Sequence, residues 1–216
     1  MSTEQSRELA EVCISRFKSL RELLAASVER LTQAGIPPNA VLCVRMLHEL
    51  PAEILRQNIV EKPLYTSSKA VFDYLYYSMR DLKNEVFKVV FLNSQTQIID
   101  MVELYRGMTD HISIRPRDVV ENAIKQSAAG LIFAHNHPSG DPSPSQADEQ
   151  LTRDLVFVGM TLQMSVLDHI IIGHNRYFTF ADAGLIKAYE TDYLNLRLKG
   201  VAKAKRRYKN SGEKAA

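Results

Sequence analysis

Residues 134–148 read AHNHPSGDPSPSQAD and contain two histidines placed two positions apart, directly after the apolar run 131–134. That run reads as a short strand. Where an extended strand ends, side chains i and i+2 point to the same side, so both imidazoles can reach one cation. Beyond a loop shaped by proline and glycine, Asp148 supplies a carboxylate. The stretch predicts a metal site with His135, His137 and Asp148 as ligands.

Two nitrogens and one oxygen are typical of a catalytic rather than a structural zinc ion, so Zn²⁺ is the expected cofactor. Three protein ligands leave the fourth tetrahedral position for water, whose pKa falls to about 7 on the metal. A second interpretation applies to the end of the stretch. Ser145-x-x-Asp148 also matches a helix capping arrangement, in which the first helical turn favours a carboxylate. Both interpretations can hold together.

Helix and strand patterns alternate around this motif, and they predict an α+β or mixed three-layer α-β-α domain with helices on a central sheet. Helices are expected over 66–83, from Pro116 to a stop at Gly130, and over 146–159. Strands are expected over 86–92, 97–104, 112–114, 131–134, 161–166, 169–172 and 177–180.

A small helical region precedes this domain. Apolar residues recur at helical spacing from residue 5 to 57, with a break at Gly35-Ile36-Pro37-Pro38 and a new helix over 40–50. The pattern lapses around residue 60. We expect a helical region over 1–60, the metal-binding domain over 61–186 and a basic tail over 187–216.

Charge is unevenly spread along the 216 residues. The net charge is only +2, yet the last thirty residues hold nine Lys or Arg against three Asp or Glu. A uniformly basic nucleic-acid-binding protein is therefore excluded, whereas a basic tail on a mildly acidic body is not. An amino terminus without the pattern of a secretory signal and the absence of long apolar runs favour a cytoplasmic protein that does not enter a membrane.

The motif resembles a known family. His-x-His, seven residues, Ser, two residues and Asp match the JAMM (MPN+) metalloprotease motif at His135, His137, Ser145 and Asp148. Together with Arg115-Pro116-Arg117 and residues 167–173 (LDHIIIG), the stretch resembles the bacterial RadC-type JAB domain over about residues 65–186. The resemblance implies an MPN-like, cytidine deaminase-like fold and zinc held by the two histidines and the aspartate.

The same resemblance assigns roles to two further residues. Glu85, at the start of the strand 86–92, would transfer protons, and Ser145 would donate a hydrogen bond to the developing oxyanion. Glu103 is a competing carboxylate. Asp168 and His169 are candidates for contacts that orient a ligand histidine, although a purely structural histidine is the favoured alternative.

The region before residue 60 resembles the helix-hairpin-helix part of RadC-type proteins. Pro37 stands where such hairpins carry a second glycine, and proline offers no N–H to a phosphate, so packing is favoured over DNA contact. Basic residues of the tail could instead bind phosphates in nucleic acid, or could simply be solvated. These candidates are Arg197, Lys203, Lys205, Arg206, Arg207 and Lys209.

Two function classes follow. The first is a zinc-dependent hydrolase of the RadC/JAB type that attacks a peptide or isopeptide bond. The alternative is a DNA-associated protein, either a binding module of the DNA repair type or a metal-dependent nuclease.

Overall fold

A computed structural model describes residues 3–60, 64–107 and 114–212, and the side chains of residues 4, 6–60, 69–107 and 114–200. In these ranges the helices are α1 (Thr3–Arg16), α2 (Leu20–Leu24), α3 (Val28–Gln33), α4 (Pro38–Gln57), α5 (Leu64–Met79), α6 (Pro116–Lys125), α7 (Gln146–Thr161) and α8 (Leu185–Gly212). The strands are β1 (Glu85–Leu92), β2 (Ile98–Gly107), β3 (Gly130–Asn136), β4 (Ser165–Ile172) and β5 (Tyr177–Thr179).

The five strands form one mixed sheet in the order β2-β1-β3-β4-β5. Antiparallel pairing joins β1 to β2 and to β3, and β4 to β5. Only β3 and β4 run parallel among the described strands, with Gly130 opposite Ser165 and Asn136 opposite Ile172. A parallel pair requires a crossover connection, and α7 supplies it.

Each face of the sheet has its own apolar core. On one face, alternate residues of β1 such as Phe87, Val89 and Phe91 pack with residues of α6, α7 and α8. On the other face, Val86 and Val90 pack with α5 and the end of α4. Every residue of β3 is buried, as expected for a central strand covered on both sides. The prediction of a mixed three-layer α-β-α domain is confirmed.

Several predicted boundaries were wrong. Helix α7 extends through Thr161, and a turn with Gln163 at φ 58° follows it, so the next strand begins only at Ser165. That strand, β4, continues without a break to Ile172, where two strands were expected over 161–166 and 169–172. Helix α4 continues to Gln57 through Pro51. Of the strand expected over 112–114, residues 112 and 113 lie outside the described residues, and Ile114 is not in a strand.

The amino-terminal helices pack around a small core of their own, centred on Phe17, Leu31 and Val41. Between α3 and α4, Gly35 adopts φ +82° and closes the preceding helix. Its N–H donates to Thr32 O, and the N–H of Ile36 donates to Leu31 O. These two N–H groups are therefore already used within the chain, which agrees with a packing role for the turn.

This helical region also contacts the sheet domain. Ile59 is fully buried in the core beneath α5. Arg21 on α2 donates to Asp81 Oδ1 at 2.5 Å and to the carbonyl oxygen of His174 at 3.2 Å. That same carbonyl oxygen accepts a hydrogen bond from the Tyr76 hydroxyl at 2.8 Å. The turn after β4 is thus held from two helices.

The last helix begins against the domain and then continues into the basic segment. Ile186 is buried in the core that α7 shares, and the rings of Phe157 and Tyr193 meet edge to face at 5.6 Å. The helix extends to Gly212, so the segment expected as a tail over 187–216 continues α8 for most of its length. In the described part of the chain, none of the helices combines the length and apolarity needed to span a membrane.

Asn136, between the two histidines of the motif, fastens the end of β3 to the start of β1. Its side-chain Oδ1 accepts a hydrogen bond from Val86 N at 2.9 Å, while Nδ2 donates to the carbonyl oxygens of Asn84 at 3.1 Å and Leu82 at 3.3 Å. The residue is 1 % exposed. It therefore fixes the backbone on both sides of Glu85, the first residue of β1.

Replacing Asn136 should show how much this contact stabilises the fold. Because Asn136→Ala leaves buried backbone groups without partners, the free energy of unfolding should fall by about 1–3 kcal/mol. Urea denaturation followed by circular dichroism measures it. Asn195→Ala, on the exposed surface of α8, should change stability by less than about 0.5 kcal/mol. Equal effects of the two variants would contradict this role for Asn136.

Candidate metal centre

Three elements bring polar side chains together at one edge of the sheet. His135 lies at the end of β3, and His137 follows the strand, with its N–H bonded to Ile172 O at 2.9 Å. Asp148 lies in the first turn of α7. Phe87 pairs with His135, and this antiparallel register continued by two residues places Glu85 beside His137. The odd-numbered residues point toward α7 because side chains alternate along strands.

The ligand atoms of Glu85, His135, His137 and Asp148 all lie within 4.8 Å of one another. His135 Nε2 is 3.0 Å from His137 Nε2 and 3.2 Å from Asp148 Oδ1. His137 Nε2 is 3.5 Å from Asp148 Oδ2, and Glu85 Oε1 is 4.0 Å from His135 Nε2. The structure therefore brings together the three predicted ligands and the predicted proton-transfer residue.

These spacings fit a tetrahedral metal ion. Zinc bonds of about 2.0–2.2 Å to nitrogen and oxygen imply ligand–ligand separations of about 3.3–3.6 Å in a tetrahedral site. The three separations among His135, His137 and Asp148 are 3.0, 3.2 and 3.5 Å. Two imidazoles and one carboxylate also match the chemistry of a site that binds a divalent ion and keeps a position open.

The charge states of the cluster favour a cation. Although burial raises the pKa of Asp148, the adjacent His135 and His137 rings and the Ser145 hydroxyl outweigh burial and hold that pKa far below its usual range. Burial lowers the pKa of His135 despite the nearby Asp148 carboxylate. An ionised carboxylate and a neutral imidazole are the forms that bind metals.

His137 is less buried, and its pKa moves the other way. Burial opposes protonation, but the Asp148 carboxylate and the carbonyl of Asp141 together raise the pKa of His137. The ring places Nδ1 2.7 Å from Asp141 O, a carbonyl that can only accept, so Nδ1 carries a proton. Nε2 therefore faces the cluster, where a metal ion and a proton would compete for it.

Ser145 is the N-cap of α7. Its hydroxyl donates to Asp148 Oδ2 at 2.6 Å, its N–H donates to the same oxygen at 2.8 Å, and Asp148 N donates back to the hydroxyl at 3.2 Å. This is a reciprocal capping box, so the capping interpretation is correct. The same carboxylate nevertheless faces both histidines, so capping does not remove it from the predicted metal site.

Glu103, the competing carboxylate, lies on β2 and is bound to Arg106 by two hydrogen bonds of 2.7 Å. The cluster contains Glu85 instead.

The structure separates Asp168 from His169. The two were predicted as a pair, yet neighbouring residues of a strand point to opposite faces. Asp168 Oδ1 accepts hydrogen bonds from the N–H groups of His169 and Ala181 at 2.7 and 2.9 Å, and its side chain lines a cavity beside α5. Asp168 therefore does not lie near the cluster formed by Glu85, His135, His137 and Asp148.

His169 is fully buried on the α7 side of the sheet, with Nε2 at 2.8 Å from Nδ1 of His135. Burial, with little charge compensation, lowers the pKa of His169 well below the ordinary value. Its ring is thus neutral and in direct contact with a predicted metal ligand.

Two residues near the site were missed by sequence reasoning. Asn136 stood inside the motif without an assigned role. Thr152 places Oγ1 2.6 Å from His169 Nδ1, and it lies one helical turn after Asp148. That i,i+4 spacing was the available signal, since residues four apart share a helix face.

The basic candidates lie far along α8. Arg197 places its guanidinium over the ring of Tyr193, with 5.9 Å between Cζ and the ring centroid. The side chains of Lys203, Lys205, Arg206, Arg207 and Lys209 lie outside the described residues.

Comparison with known proteins identifies the family. Residues 65–185 match the family described as the RadC-like JAB domain. UPF0758 proteins from Shewanella woodyi and Pseudoalteromonas translucida are each 38% identical over 180 residues, covering 83% of this chain and 80% of theirs. A UPF0758 protein from Pelobacter propionicus is 36% identical over 83% of this chain and 79% of its own. The matched residues include the whole cluster at the end of β3 and span more than half of the sequence. The chain therefore belongs to the RadC-like JAB domain family.

Proposed function

We propose that this protein is a zinc-dependent hydrolase that cleaves a peptide or isopeptide bond. The observation that supports the proposal is the convergence of Glu85, His135, His137 and Asp148 within 4.8 Å. His135, His137 and Asp148 would hold the ion, which when bound supplies Lewis acidity and lowers the pKa of a water molecule in its open position. Family membership agrees with metal-dependent hydrolysis.

Glu85 would carry the proton in this reaction. Its carboxylate lies at the amino end of β1, and its side chain is 11% exposed. A carboxylate at this distance from the ligands can accept a proton from a nucleophilic water and return it to the leaving amine. Asn136 holds the backbone on both sides of Glu85, so the fold sets the point from which this carboxylate extends.

Ser145 would stabilise the oxyanion of the tetrahedral intermediate. In the structure its hydroxyl donates to Asp148 Oδ2. To serve the oxyanion, the hydroxyl must rotate away from that oxygen, while Ser145 N continues to donate to the carboxylate. A single oxyanion donor of this kind typically contributes about 3–4 kcal/mol to transition-state stabilisation.

Metal content gives the first test. The purified protein should bind about one zinc ion per chain, and His137→Ala should lose it, because two ligands hold the ion too weakly. Elemental analysis after dialysis measures the stoichiometry. His48→Ala removes an imidazole from α4, outside the cluster, and should leave zinc binding unchanged. Full zinc retention by His137→Ala would contradict the proposed ligand set.

The second test separates metal binding from proton transfer. Glu85→Gln should keep zinc but lower the rate of peptide hydrolysis about 10²- to 10⁴-fold, since the amide cannot accept the proton. Quenched fluorogenic peptides and isopeptide-linked lysine peptides are suitable substrates. Glu103→Gln, on β2, should hydrolyse them at the wild-type rate. A fully active Glu85→Gln enzyme would exclude this role for Glu85.

A second candidate function, binding of DNA, is favoured by the basic segment at the end of α8. Residues 197–209 contain seven Lys or Arg and no acidic residue, and the helix continues through them. A helix bearing this density of positive charge suits the phosphate backbone of nucleic acid. This function is compatible with hydrolysis at the metal centre and does not depend on it.

Salt dependence tests the DNA candidate. Changing Lys203, Lys205, Arg206 and Arg207 together to Gln should weaken binding of single-stranded DNA and reduce the slope of log K against log salt by about 3. Fluorescence anisotropy with a labelled oligonucleotide measures both. The matched control neutralises four basic residues elsewhere, namely Arg7, Lys18, Lys69 and Arg117. Equal losses of DNA affinity in both variants would show only a general charge effect. Unchanged binding by the variant in Lys203, Lys205, Arg206 and Arg207 would exclude this segment as the DNA-binding site.

A further inference from the structure

A line of hydrogen-bonded side chains leads from α7 to the metal cluster. Thr152 Oγ1 lies 2.6 Å from His169 Nδ1, and His169 Nε2 lies 2.8 Å from His135 Nδ1. All three residues are fully buried. The atom of His135 that faces the cluster, Nε2, is on the opposite side of the ring from this line.

The direction of the first hydrogen bond follows from the backbone of α7. Thr152 Oγ1 is 2.5 Å from the carbonyl oxygen of Asp148. Two oxygens at that separation need a proton between them, and a carbonyl can only accept. The hydroxyl proton of Thr152 therefore belongs to this bond. Towards His169 the same oxygen can only accept, so His169 Nδ1 carries a proton.

The second hydrogen bond follows from the surroundings of His169. The rings of Phe87, Phe133 and Phe180 enclose it, with centroids 5.6, 6.0 and 5.0 Å from its own. A neutral imidazole has a single N–H, and here that N–H is at Nδ1. Nε2 of His169 must then accept, and the donor at 2.8 Å is Nδ1–H of His135.

We propose that Thr152 and His169 are positioning residues that fix His135 in the tautomer with its proton on Nδ1, which leaves Nε2 free to bind a metal. The inference rests on the proposed function, because the tautomer of His135 affects function only if His135 is a metal ligand. His137 reaches the same state through the carbonyl of Asp141. His135 is fully buried, and its Nδ1 meets the His169 side chain instead.

The alternative tautomer of His135 is stabilised by a hydrogen bond of its own, so a fixed acceptor at Nδ1 is needed to disfavour it. With a proton on Nε2, His135 would donate to Asp148 Oδ1, only 3.2 Å away. The proton would then occupy the position of the Nε2 lone pair, and the bond would occupy a carboxylate oxygen. The hydrogen bond from His135 to His169 opposes it. Removing the acceptor of this bond, His169 Nε2, should therefore shift His135 toward the tautomer with its proton on Nε2, which cannot bind a metal ion through that nitrogen.

The tautomer can be observed directly in the metal-free protein. Two-bond ¹H–¹⁵N correlation spectra of protein labelled at histidine distinguish a protonated Nδ1 from a protonated Nε2, and the chain has only six histidines. The wild-type spectrum should show the proton of His135 on Nδ1. Thr152→Val removes the acceptor for His169 Nδ1–H with little change of side-chain shape. Its spectrum should show a mixture of the two His135 tautomers. His169→Phe should show the proton mainly on Nε2.

Zinc affinity provides the second readout. Competition with a chromophoric chelator should show zinc binding about 10- to 100-fold weaker in His169→Phe. Thr152→Val should be weakened less. His169→Gln keeps an acceptor for His135 and a donor for Thr152, and it should restore affinity to near the wild-type value. If His169→Phe does not fold, Thr152→Val and His169→Gln still decide the matter.

A proton on Nε2 in the wild-type metal-free spectrum would overturn the proposal, as would wild-type zinc affinity in both Thr152→Val and His169→Phe. Failure of the hydrolase assignment gives a different result. In that case the spectra and the zinc affinities change as expected, yet no peptide is cleaved by any variant.

Discussion

The parallel pairing of β3 with β4 is the constraint on which the candidate metal centre depends. Because the strands run in the same direction, the chain must return over one face of the sheet, and α7 makes this crossover. Its first turn therefore meets the end of β3, where the chain changes direction. Two imidazoles arrive from the strand and one carboxylate from the helix. The antiparallel neighbour β1 then adds Glu85 from the other side.

Asp148 shows how local and global requirements meet in one side chain. Oδ2 closes the capping box with Ser145, while Oδ1 faces His135. The positive end of the α7 dipole and the two imidazoles both favour the ionised carboxylate. Its position is therefore set by the helix itself before any metal ion is present, which reduces the ordering needed on binding.

Local spacing predicted much of this site, and contacts between distant elements limited the rest. His135, His137 and Asp148 were recognisable because their spacing within fifteen residues implies one edge of a strand and one helix turn. Glu85 came only from the family resemblance. Asp168 was grouped with His169 because they are adjacent in sequence, although strand alternation sends them to opposite faces. The same polar pair interrupts an apolar run, which explains why β4 was predicted as two strands.

The contacts of the helical region have a practical consequence for dissecting the chain. Ile59 is part of the core beneath α5, and Arg21 and Tyr76 share one carbonyl oxygen at the turn after β4. A fragment that started at residue 61 would keep all the predicted metal ligands. It would also lack Ile59 from that apolar core, and it would remove one of the two guanidinium partners of Asp81. Weak metal binding or activity of such a truncated fragment would therefore say more about lost packing than about the chemistry of the intact protein.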